Sequence, residues 1–306
     1  MNDLRNQLDN YIYFCKKQKC LDPKTIRAYN IDISQFANHL DCSTLDDIAS
    51  THIESYIAHL HSSYKPKSAK RKIASLKAFF RYCEFKEIIN HNPFDKVEIR
   101  FREPITLPKT ISMQNLEIFL STIYNQYASA TTQYKKKKAL RDIAVIELLF
   151  STGMRISELC NLSPSDVNLN DNFVLIYGKG AKERKMQIGN VDVQKILHEY
   201  KKIYSPEIIK SNHFFVNPSG TPLSDQTVRR MINKYTSLAA IEQHITPHMF
   251  RHTFASSLLD ADVDIRYIQE MLGHSSINTT QIYTHVTMAK QKNILTTKHP
   301  RNNFSL

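Results

Sequence analysis

This 306-residue sequence is poor in glycine, with six glycines beside eleven prolines. Such numbers exclude a collagen-like or low-complexity chain. No apolar run approaches the roughly 18 to 20 residues that a membrane span needs, and the polar start of the chain has the features of neither a signal peptide nor a transit peptide. We therefore expect a cytoplasmic protein that makes no membrane contact.

Motifs for disulfides, metals and nucleotides are also missing. The five cysteines lie far apart without a Cys-x-x-Cys pair, so neither a disulfide framework nor a zinc site is predicted. The thirteen histidines show neither His-Glu-x-x-His nor zinc-finger spacing. The sequence contains no phosphate-binding loop of the Gly-x-x-x-x-Gly-Lys-Ser/Thr type. We expect no metal and no cofactor.

Positive charge is abundant, with 41 Lys and Arg against 29 Asp and Glu and a formal net charge of +12. Because cationic side chains that neutralise phosphates gain from counterion release, a nucleic acid is the first candidate partner. The chain is 42% hydrophobic and 10% aromatic, which is enough to bury a core, and its length is about twice the usual domain size.

Turn signals near residue 100 predict a boundary between two domains. Asn90-His-Asn-Pro93 ends a helical pattern, and Pro104 and Pro108 bracket an extended stretch. We predict a helical DNA-binding domain over residues 1–105, with a linker at about 90–110, and a second domain over residues 106–306.

The first domain is predicted to contain four amphipathic helices. They run from Leu4 to Lys17, from Pro23 to about Leu40, from a capping box at Thr51-His-Ile-Glu54 to about Ser63, and from Ser68 to about Phe85. The interval from Lys65 to Lys86 holds eight basic residues and one acidic residue. A nearly acid-free stripe on the fourth helix predicts DNA contact, with an ordinary solvated face as the alternative. The stripe consists of Lys67, Lys70, Lys77 and Arg81.

The second domain is predicted to be mostly helical with one small β element. Helices resume at about Ser112, and the lysine run 135–138, which we interpret as a solvated loop, precedes an apolar helix over about 140–151. The β-prone runs 173–177 and 185–188 predict an antiparallel hairpin. Further helices are predicted to start near residues 190, 224, 246, 262 and 276. The expected fold class is therefore mainly α.

Three clusters of polar residues are not explained by packing. In the first, Arg155 follows a glycine turn at the end of an apolar helix and Glu158 comes three residues later. A buried arginine needs an anionic partner, so this pair is either structural or catalytic. In the second, His248 and Arg251 share one face of a helix that begins at Thr246-Pro247. Imidazole and guanidinium donors near a helix N-terminus suit an oxyanion or a phosphate, although a helix cap with surface histidines is the alternative.

The third cluster contains His274, which follows a glycine at a helix end, and Tyr283, which lies on the next predicted helix. Taken alone, a tyrosine is most often a residue at the edge of a core, and the chain has fifteen of them.

In order and spacing, the three clusters resemble the tyrosine recombinase or phage integrase family, and most closely its two-domain Xer branch. Gly-Met-Arg-Ile-Ser-Glu-Leu is similar to the first arginine box, and His-Met-Phe-Arg-His-Thr-Phe-Ala to the second. Leu-Gly-His-Ser-Ser and Thr-Thr-Gln-Ile-Tyr-Thr-His resemble the nucleophile box, while Gly-Lys-Gly-Ala-Lys-Glu-Arg resembles the family's lysine hairpin. The resemblance of these boxes spans about residues 152–286. It implies an N-terminal SAM-like core-binding domain and a mixed, mostly helical catalytic domain with a small antiparallel sheet.

The resemblance also implies a catalytic set. Tyr283 would attack a DNA phosphodiester and form a 3′-phosphotyrosyl link, while Arg155 and Arg251 would hold the nonbridging oxygens. Lys179 would protonate the leaving 5′ oxygen, with Lys182 in the same loop as the alternative. His248 would transfer the proton at the tyrosine, and His274 would stabilise the phosphorane. Glu158 would support the arginines.

This chemistry is physically coherent. A phenol with a pKa of about 10 is a poor nucleophile at neutral pH, so its attack requires a transition state whose added charge is already neutralised. The resemblance implies a site-specific recombinase acting as a homotetramer on two double-stranded DNA sites, or as a heterotetramer with a second recombinase. The biological roles open to it are chromosome dimer resolution, transposon resolution and integration. The alternatives are a relaxing enzyme similar to type IB topoisomerases and a non-catalytic architectural DNA-binding protein.

Overall fold

The computed structural model describes residues 3–40, 44–99, 108–178 and 183–273. By its internal contacts, the chain divides into two compact units, Met1–Ile105 and Thr106–Leu306. Helices dominate both units, so the prediction of a mainly α protein is confirmed.

The N-terminal unit contains four helices. Their bounds are α1 Leu4–Lys17, α2 Pro23–Ala37, α3 Ser50–Ser63 and α4 Pro66–Phe85. The side chains of Asp3 and Asp22 accept hydrogen bonds from backbone N–H groups in the first turns of α1 and α2, as expected of aspartate at an N-cap. The second helix ends at Ala37, three residues before the predicted end.

The predicted capping box at Thr51 is wrong. Helix α3 begins at Ser50 after the N-cap residue Ala49, so Thr51 lies inside the first turn. The backbone N–H of Ala49 donates to Nδ1 of His52 at 3.0 Å. An imidazole nitrogen therefore takes the role that the sequence pattern gave to Glu54.

Aromatic side chains fill the core of the N-terminal unit. Tyr11, Phe36, Phe79 and Phe80 are fully buried. The ring centroids of Tyr11 and Phe79 are 5.5 Å apart, and those of Phe36 and Phe80 are 6.0 Å apart, both in edge-on geometry. Since α1, α2 and α4 supply these rings, the core fixes the orientation of α4 and leaves its basic side in solvent.

The C-terminal unit contains seven described helices and a three-stranded sheet. The helices are α5 Met113–Ala128, α6 Gln133–Thr152, α7 Ile156–Cys160, α8 Val191–Ser211, α9 Asp225–Leu238, α10 Pro247–Asp260 and α11 Ile265–Leu272. A 3₁₀ turn, Pro164–Asp166, precedes the sheet.

Helix α6 is the central element of this unit, and it packs against α5, α8 and α10. It begins at Gln133, so the interpretation of the lysine run 135–138 as a loop is wrong. The side chain of Thr132 accepts a hydrogen bond from the backbone N–H of Lys135, which caps the helix ahead of the lysines. Lys137 pairs with Glu207 and lies over the ring of Tyr204, so part of the run packs against α8.

The sheet is antiparallel in the order β1 Val167–Asn168, β2 Phe173–Tyr177 and β3 Glu183–Gln187. The predicted hairpin is confirmed, with Phe173 opposite Gln187 and Tyr177 opposite Glu183. The second strand of the hairpin starts two residues earlier than predicted. This earlier start places Arg184 within the strand.

The last described helix, α11, begins at Ile265 after its N-cap residue Asp264, a few residues later than the predicted start. The preceding Asp262 has φ +63°, a left-handed conformation that aspartate adopts more readily than most residues. The predicted helix near residue 276 lies outside the described residues.

Candidate active site and nucleic-acid surface

The turn between α6 and α7 is the centre of the candidate site. Gly153 ends α6 with φ +59°. A Cβ atom at this position would lie 2.5 Å from Cδ1 of Phe254. Only glycine satisfies both the left-handed backbone and the close approach of α10. The turn therefore passes directly beside α10, two residues before Arg155.

Arg155 precedes the first turn of α7, and its side chain is paired with Glu158. Nη1 of Arg155 donates to Oε1 of Glu158 at 2.8 Å, while the backbone N–H of Arg155 donates to Oε2 at 2.8 Å. The carboxylate side chain is 6% exposed, whereas the Arg155 side chain is 36% exposed. The pair is thus anchored at its acidic end and open to solvent at its basic end.

Glu158 also receives a second guanidinium, that of Arg184 on β3. Nη2 of Arg184 donates to Oε2 at 2.6 Å, and Nη1 donates to Oε1 at 3.3 Å. Burial opposes ionisation of Glu158, but the hydrogen bonds from Arg184 and from the Arg155 backbone outweigh it and hold the pKa of the carboxyl below its ordinary value. Glu158 is therefore a carboxylate at neutral pH.

Arg251 on α10 connects the α6–α7 turn with the end of α11. Nη1 donates to the backbone carbonyl of Gly153 at 2.8 Å, and Nη2 donates to that of Leu272 at 2.7 Å. The residue is 4% exposed. These two bonds join segments that are 98 and 21 residues away in the sequence. Both predicted arginines therefore lie at the α6–α7 turn. Arg155 is part of the turn, and Arg251 binds the carbonyl of Gly153, two residues before Arg155.

The histidines of the second cluster have different environments. His248 is exposed in the first turn of α10, and His252 is partly buried one turn further along. Burial lowers the pKa of His252, and the neighbouring His248 and Arg251 lower it further. Of the two, the structure leaves His248 accessible to a ligand.

Four sequence-predicted residues lie outside the described residues. They are Lys179 and its rival Lys182 in the β2–β3 loop, together with His274 and Tyr283. The described residues end next to these positions. Gly178 and Glu183 flank the lysine loop, and Gly273 follows α11 directly before His274.

The predicted DNA-binding stripe lies on one exposed side of α4. We call this surface the α4 basic face, and its members are Lys67, Lys70, Lys77 and Arg81. Positions 67, 70, 77 and 81 fall within one arc of the helix, because their separations are close to whole turns. The structure therefore presents the four charges together.

Two other basic residues of the same helix pair with a buried carboxylate on α2: Lys72, which is itself buried, and Arg71, which is half exposed. The side chain of Asp32 on α2 is fully buried and forms ion pairs with Arg71 and with Lys72, the latter at 3.2 Å. The hydroxyl of Ser75 donates to the same carboxylate at 2.7 Å. The high density of basic residues in α4 thus has two causes, an ion-pair network around the buried Asp32 and an exposed face.

Sequence reasoning missed Asp32 and Arg184. The spacing of Arg71, Lys72 and Ser75 gave no sign that they converge on a carboxylate about 40 residues earlier, since the contact is tertiary. The predicted strand began at residue 185 and so left Arg184 out, whereas the observed β3 places Arg184 between two exposed strand positions. Such a position on a β-strand points to the packed face of the sheet.

Two negative findings concern the described residues. In the ranges that the structure describes, no three His, Cys, Asp or Glu side chains are grouped so that they could hold a metal ion. Over the same ranges, no helix is both long and apolar enough to span a membrane.

The arrangement is suited to binding an oxyanion such as a phosphodiester, because a partly exposed guanidinium and a buried guanidinium lie at one turn and an exposed imidazole precedes the buried arginine by three residues on α10. Comparison with known proteins agrees. Residues 121–290 match the phage integrase family, and residues 8–85 match the N-terminal SAM-like domain of phage integrases.

Individual relatives match along nearly the whole chain. A tyrosine recombinase of Agathobacter rectalis is 62% identical over 304 residues, covering 99% of both chains. The tyrosine recombinase XerD of Listeria innocua is 34% identical over 310 residues, covering 98% of this chain and all of the relative. The crystal structure of XerH recombinase bound to a palindromic difH substrate after cleavage shares the fold, with a TM-score of 0.74 at 22% identity, covering 92% of this chain and 82% of that one.

The chain belongs to the phage integrase family of tyrosine recombinases, enzymes that cut and rejoin DNA. The resemblance to the Xer branch, the SAM-like domain and the predicted recombinase function are thereby confirmed.

Proposed function

We propose that the chain recombines DNA at a specific double-stranded site, opening each strand by attack of Tyr283 on a phosphodiester. The product would be a 3′-phosphotyrosyl link and a free 5′ hydroxyl. Because the covalent link retains the free energy of the phosphodiester, a 5′ hydroxyl from a second duplex can reverse the step without a nucleotide cofactor. We assign core DNA binding to residues 1–105 and catalysis to residues 106–306.

One observation carries this proposal: Arg251 binds the carbonyl of Gly153, two residues before Arg155. A phosphodiester under attack gains negative charge on its nonbridging oxygens. Fixed donors aimed at such charge typically contribute about 3 to 4 kcal/mol each. Two guanidiniums anchored to one turn can act on the same phosphate without rearranging during the reaction.

The remaining roles are assigned by the match to the family's motifs. His248, which is exposed beside Arg251, would move the proton at the tyrosine, and His274 would stabilise the phosphorane. Lys179, rather than Lys182, would protonate the leaving 5′ oxygen because it holds the first lysine position of the motif. Glu158 holds the Arg155 guanidinium and its backbone N–H.

The α4 basic face is proposed to contact DNA phosphates. Its four side chains are exposed, whereas the neighbouring Lys72 is buried on Asp32. Lysine and arginine on such a face position a duplex without reading its sequence.

Four protomers are proposed to act together. Two duplexes contain four strands, and each strand needs one tyrosine, so a complete exchange uses four chains. They are either four copies of this chain or copies shared with a second recombinase. Since the named relatives are bacterial and bacterial DNA lies in the cytoplasm, we place the activity there.

The test is covalent trapping on a DNA site that carries a nick next to the scissile phosphate. Cleavage then releases a short oligonucleotide, and the adduct accumulates. Wild-type protein is expected to give an SDS-resistant complex, whereas Tyr283→Phe is expected to bind the site with unchanged affinity and to give none, because only the nucleophilic oxygen is removed. Tyr267→Phe on α11 is the matched control, since its ring is 62% exposed, and it should trap like the wild type.

An adduct that persists in Tyr283→Phe would contradict the assignment of the nucleophile. Absence of any adduct with the wild type would favour the architectural alternative. Relaxation of supercoiled DNA that contains no specific site would favour the topoisomerase-like alternative.

A further inference from the structure

Arg184 connects β3 with α7 and α11 at the candidate site, yet it has no role among those assigned above. Its guanidinium donates to both carboxylate oxygens of Glu158, at 2.6 and 3.3 Å. Its Nε donates to the backbone carbonyl of Met271 at 2.9 Å. The side chain is 10% exposed, so these contacts are made in a largely dehydrated place.

The first contact changes the charge that Arg155 can offer to a ligand. Glu158 also accepts a hydrogen bond from Nη1 of Arg155 at 2.8 Å. Without Arg184, the negative carboxylate would neutralise Arg155 and the pair would carry no net charge. With Arg184, the three groups carry one net positive charge. Arg155 is the exposed member of the trio, at 36%, so the excess is presented there.

The second contact fixes the end of α11. Arg184 holds the carbonyl of Met271 while Arg251 holds that of Leu272, so two guanidiniums bind successive carbonyls at the C-terminus of this helix. A Cβ atom on the following Gly273 would lie 3.1 Å from Nη1 of Arg184, which shows how closely the backbone packs on this side chain. Arg184 thus contacts Glu158 of the first arginine box and the same helix end that Arg251 of the second box binds.

We propose that Arg184 is a positioning residue for the cleavage reaction: by neutralising Glu158 and holding the end of α11, it leaves the Arg155 charge available to the scissile phosphate. This inference rests on the proposed function. It concerns a residue that does not itself touch the DNA, and it acts through Arg155.

The experiment compares Arg184→Gln and Arg184→Lys with wild type in the nicked-site assay, at saturating DNA and with full-length protein. The Gln variant is expected to cleave about 10- to 100-fold more slowly, as for a misplaced transition-state donor, with a DNA Kd within about twofold of wild type. The Lys variant keeps the charge without the planar fork, so its rate should lie between the two. Arg266→Gln is the matched control, because this arginine lies on α11 in a solvent-exposed pair with Asp264.

A second substrate tests the route through Arg155. A methylphosphonate at the scissile position lacks one nonbridging negative charge, so a defect in charge neutralisation should shrink on it. The defect of Arg184→Gln, expressed as the wild-type to variant rate ratio, is expected to fall at least about tenfold relative to ordinary DNA.

Three results would overturn the inference: wild-type cleavage by Arg184→Gln, equal defects on both substrates, or equal rate losses in the Gln and Lys variants that parallel a loss of folded protein in thermal unfolding. If wild-type protein itself forms no adduct, the proposed function fails before Arg184 is tested. The two failures are therefore distinguishable.

Discussion

Replacing Asp32 with asparagine is expected to destabilise the N-terminal unit strongly. The carboxylate is fully buried and pairs with the buried ammonium group of Lys72 at 3.2 Å, with the Ser75 hydroxyl at 2.7 Å, and with Arg71. Removing one partner of a buried pair typically costs about 3 to 5 kcal/mol, because the other charge stays desolvated without compensation. The Arg71 side chain is 49% exposed, so its pair contributes no more than about 1 kcal/mol.

Most of the destabilisation should therefore come from Lys72. In the variant, this ammonium group keeps the Gln35 side chain and the ring of Tyr64, whose centroid is 4.7 Å away, but no carboxylate. Adding Lys72→Met removes the uncompensated charge while keeping an apolar stem. The double variant Asp32→Asn/Lys72→Met is consequently expected to be more stable than Asp32→Asn alone by at least about 1 kcal/mol, a coupling typical of contacting groups.

Hydrogen exchange read by mass spectrometry is the suitable assay, because it measures the free energy of opening separately for peptides of α2 and α4 in the full-length protein. Asp192→Asn is the control. Its side chain is 81% exposed on α8, and the substitution should change protection by less than about 0.5 kcal/mol. A destabilisation below about 1 kcal/mol in Asp32→Asn, or a further destabilisation when Lys72→Met is added, would refute the reasoning.

Two further predictions concern DNA. Glutamine at all four positions of the α4 basic face should make the fall of log K with log salt less steep, by up to about 0.9 in slope for each phosphate that the variant no longer neutralises. The slope is measured by titrating DNA binding at several salt concentrations. The control variant carries glutamine at four exposed lysines of α8, namely Lys195, Lys201, Lys202 and Lys210. An equal change of slope in both variants would show that the α4 basic face is an ordinary solvated surface. Lys179→Ala should cleave normal DNA slowly, but its cleavage rate should be largely restored on DNA with a 5′-bridging sulfur, since a thiolate leaves without the proton that general acid catalysis supplies. If the sulfur restores cleavage by Lys182→Ala instead, Lys182 is the general acid.

Local patterns predicted most of the helical architecture. The helix Leu4–Lys17 has its predicted bounds, and the helices predicted to start near Ser112, Asn190 and Ser224 begin one residue later, with those residues as their N-caps. Such features depend on neighbours within one turn, namely a polar side chain that accepts a backbone N–H and an apolar stripe with the period of a helix. Errors arose where the local signal was ambiguous, as at Thr51 and in the lysine run of α6.

The sequence by itself also determined the family, because four motifs in fixed order, namely two arginine boxes, the lysine hairpin and the nucleophile box, are recognisable without reference to a fold. Only the tertiary structure decided which basic residues of α4 pair with the buried Asp32 and which form the exposed face. Burial on Asp32 separates Lys72 from the exposed face, although all of these basic residues share one helix and one sign of charge.

The same holds for the candidate site. Arg155 and Glu158 are a local pair, but the contacts of Arg251 with Gly153 and of Arg184 with Met271 join segments 98 and 87 residues apart. No periodicity encodes such contacts, since they exist only when α6, α10, α11 and β3 pack together. The sequence therefore predicts which side chains react, whereas the packed fold decides which of the described charges are neutralised by neighbouring groups.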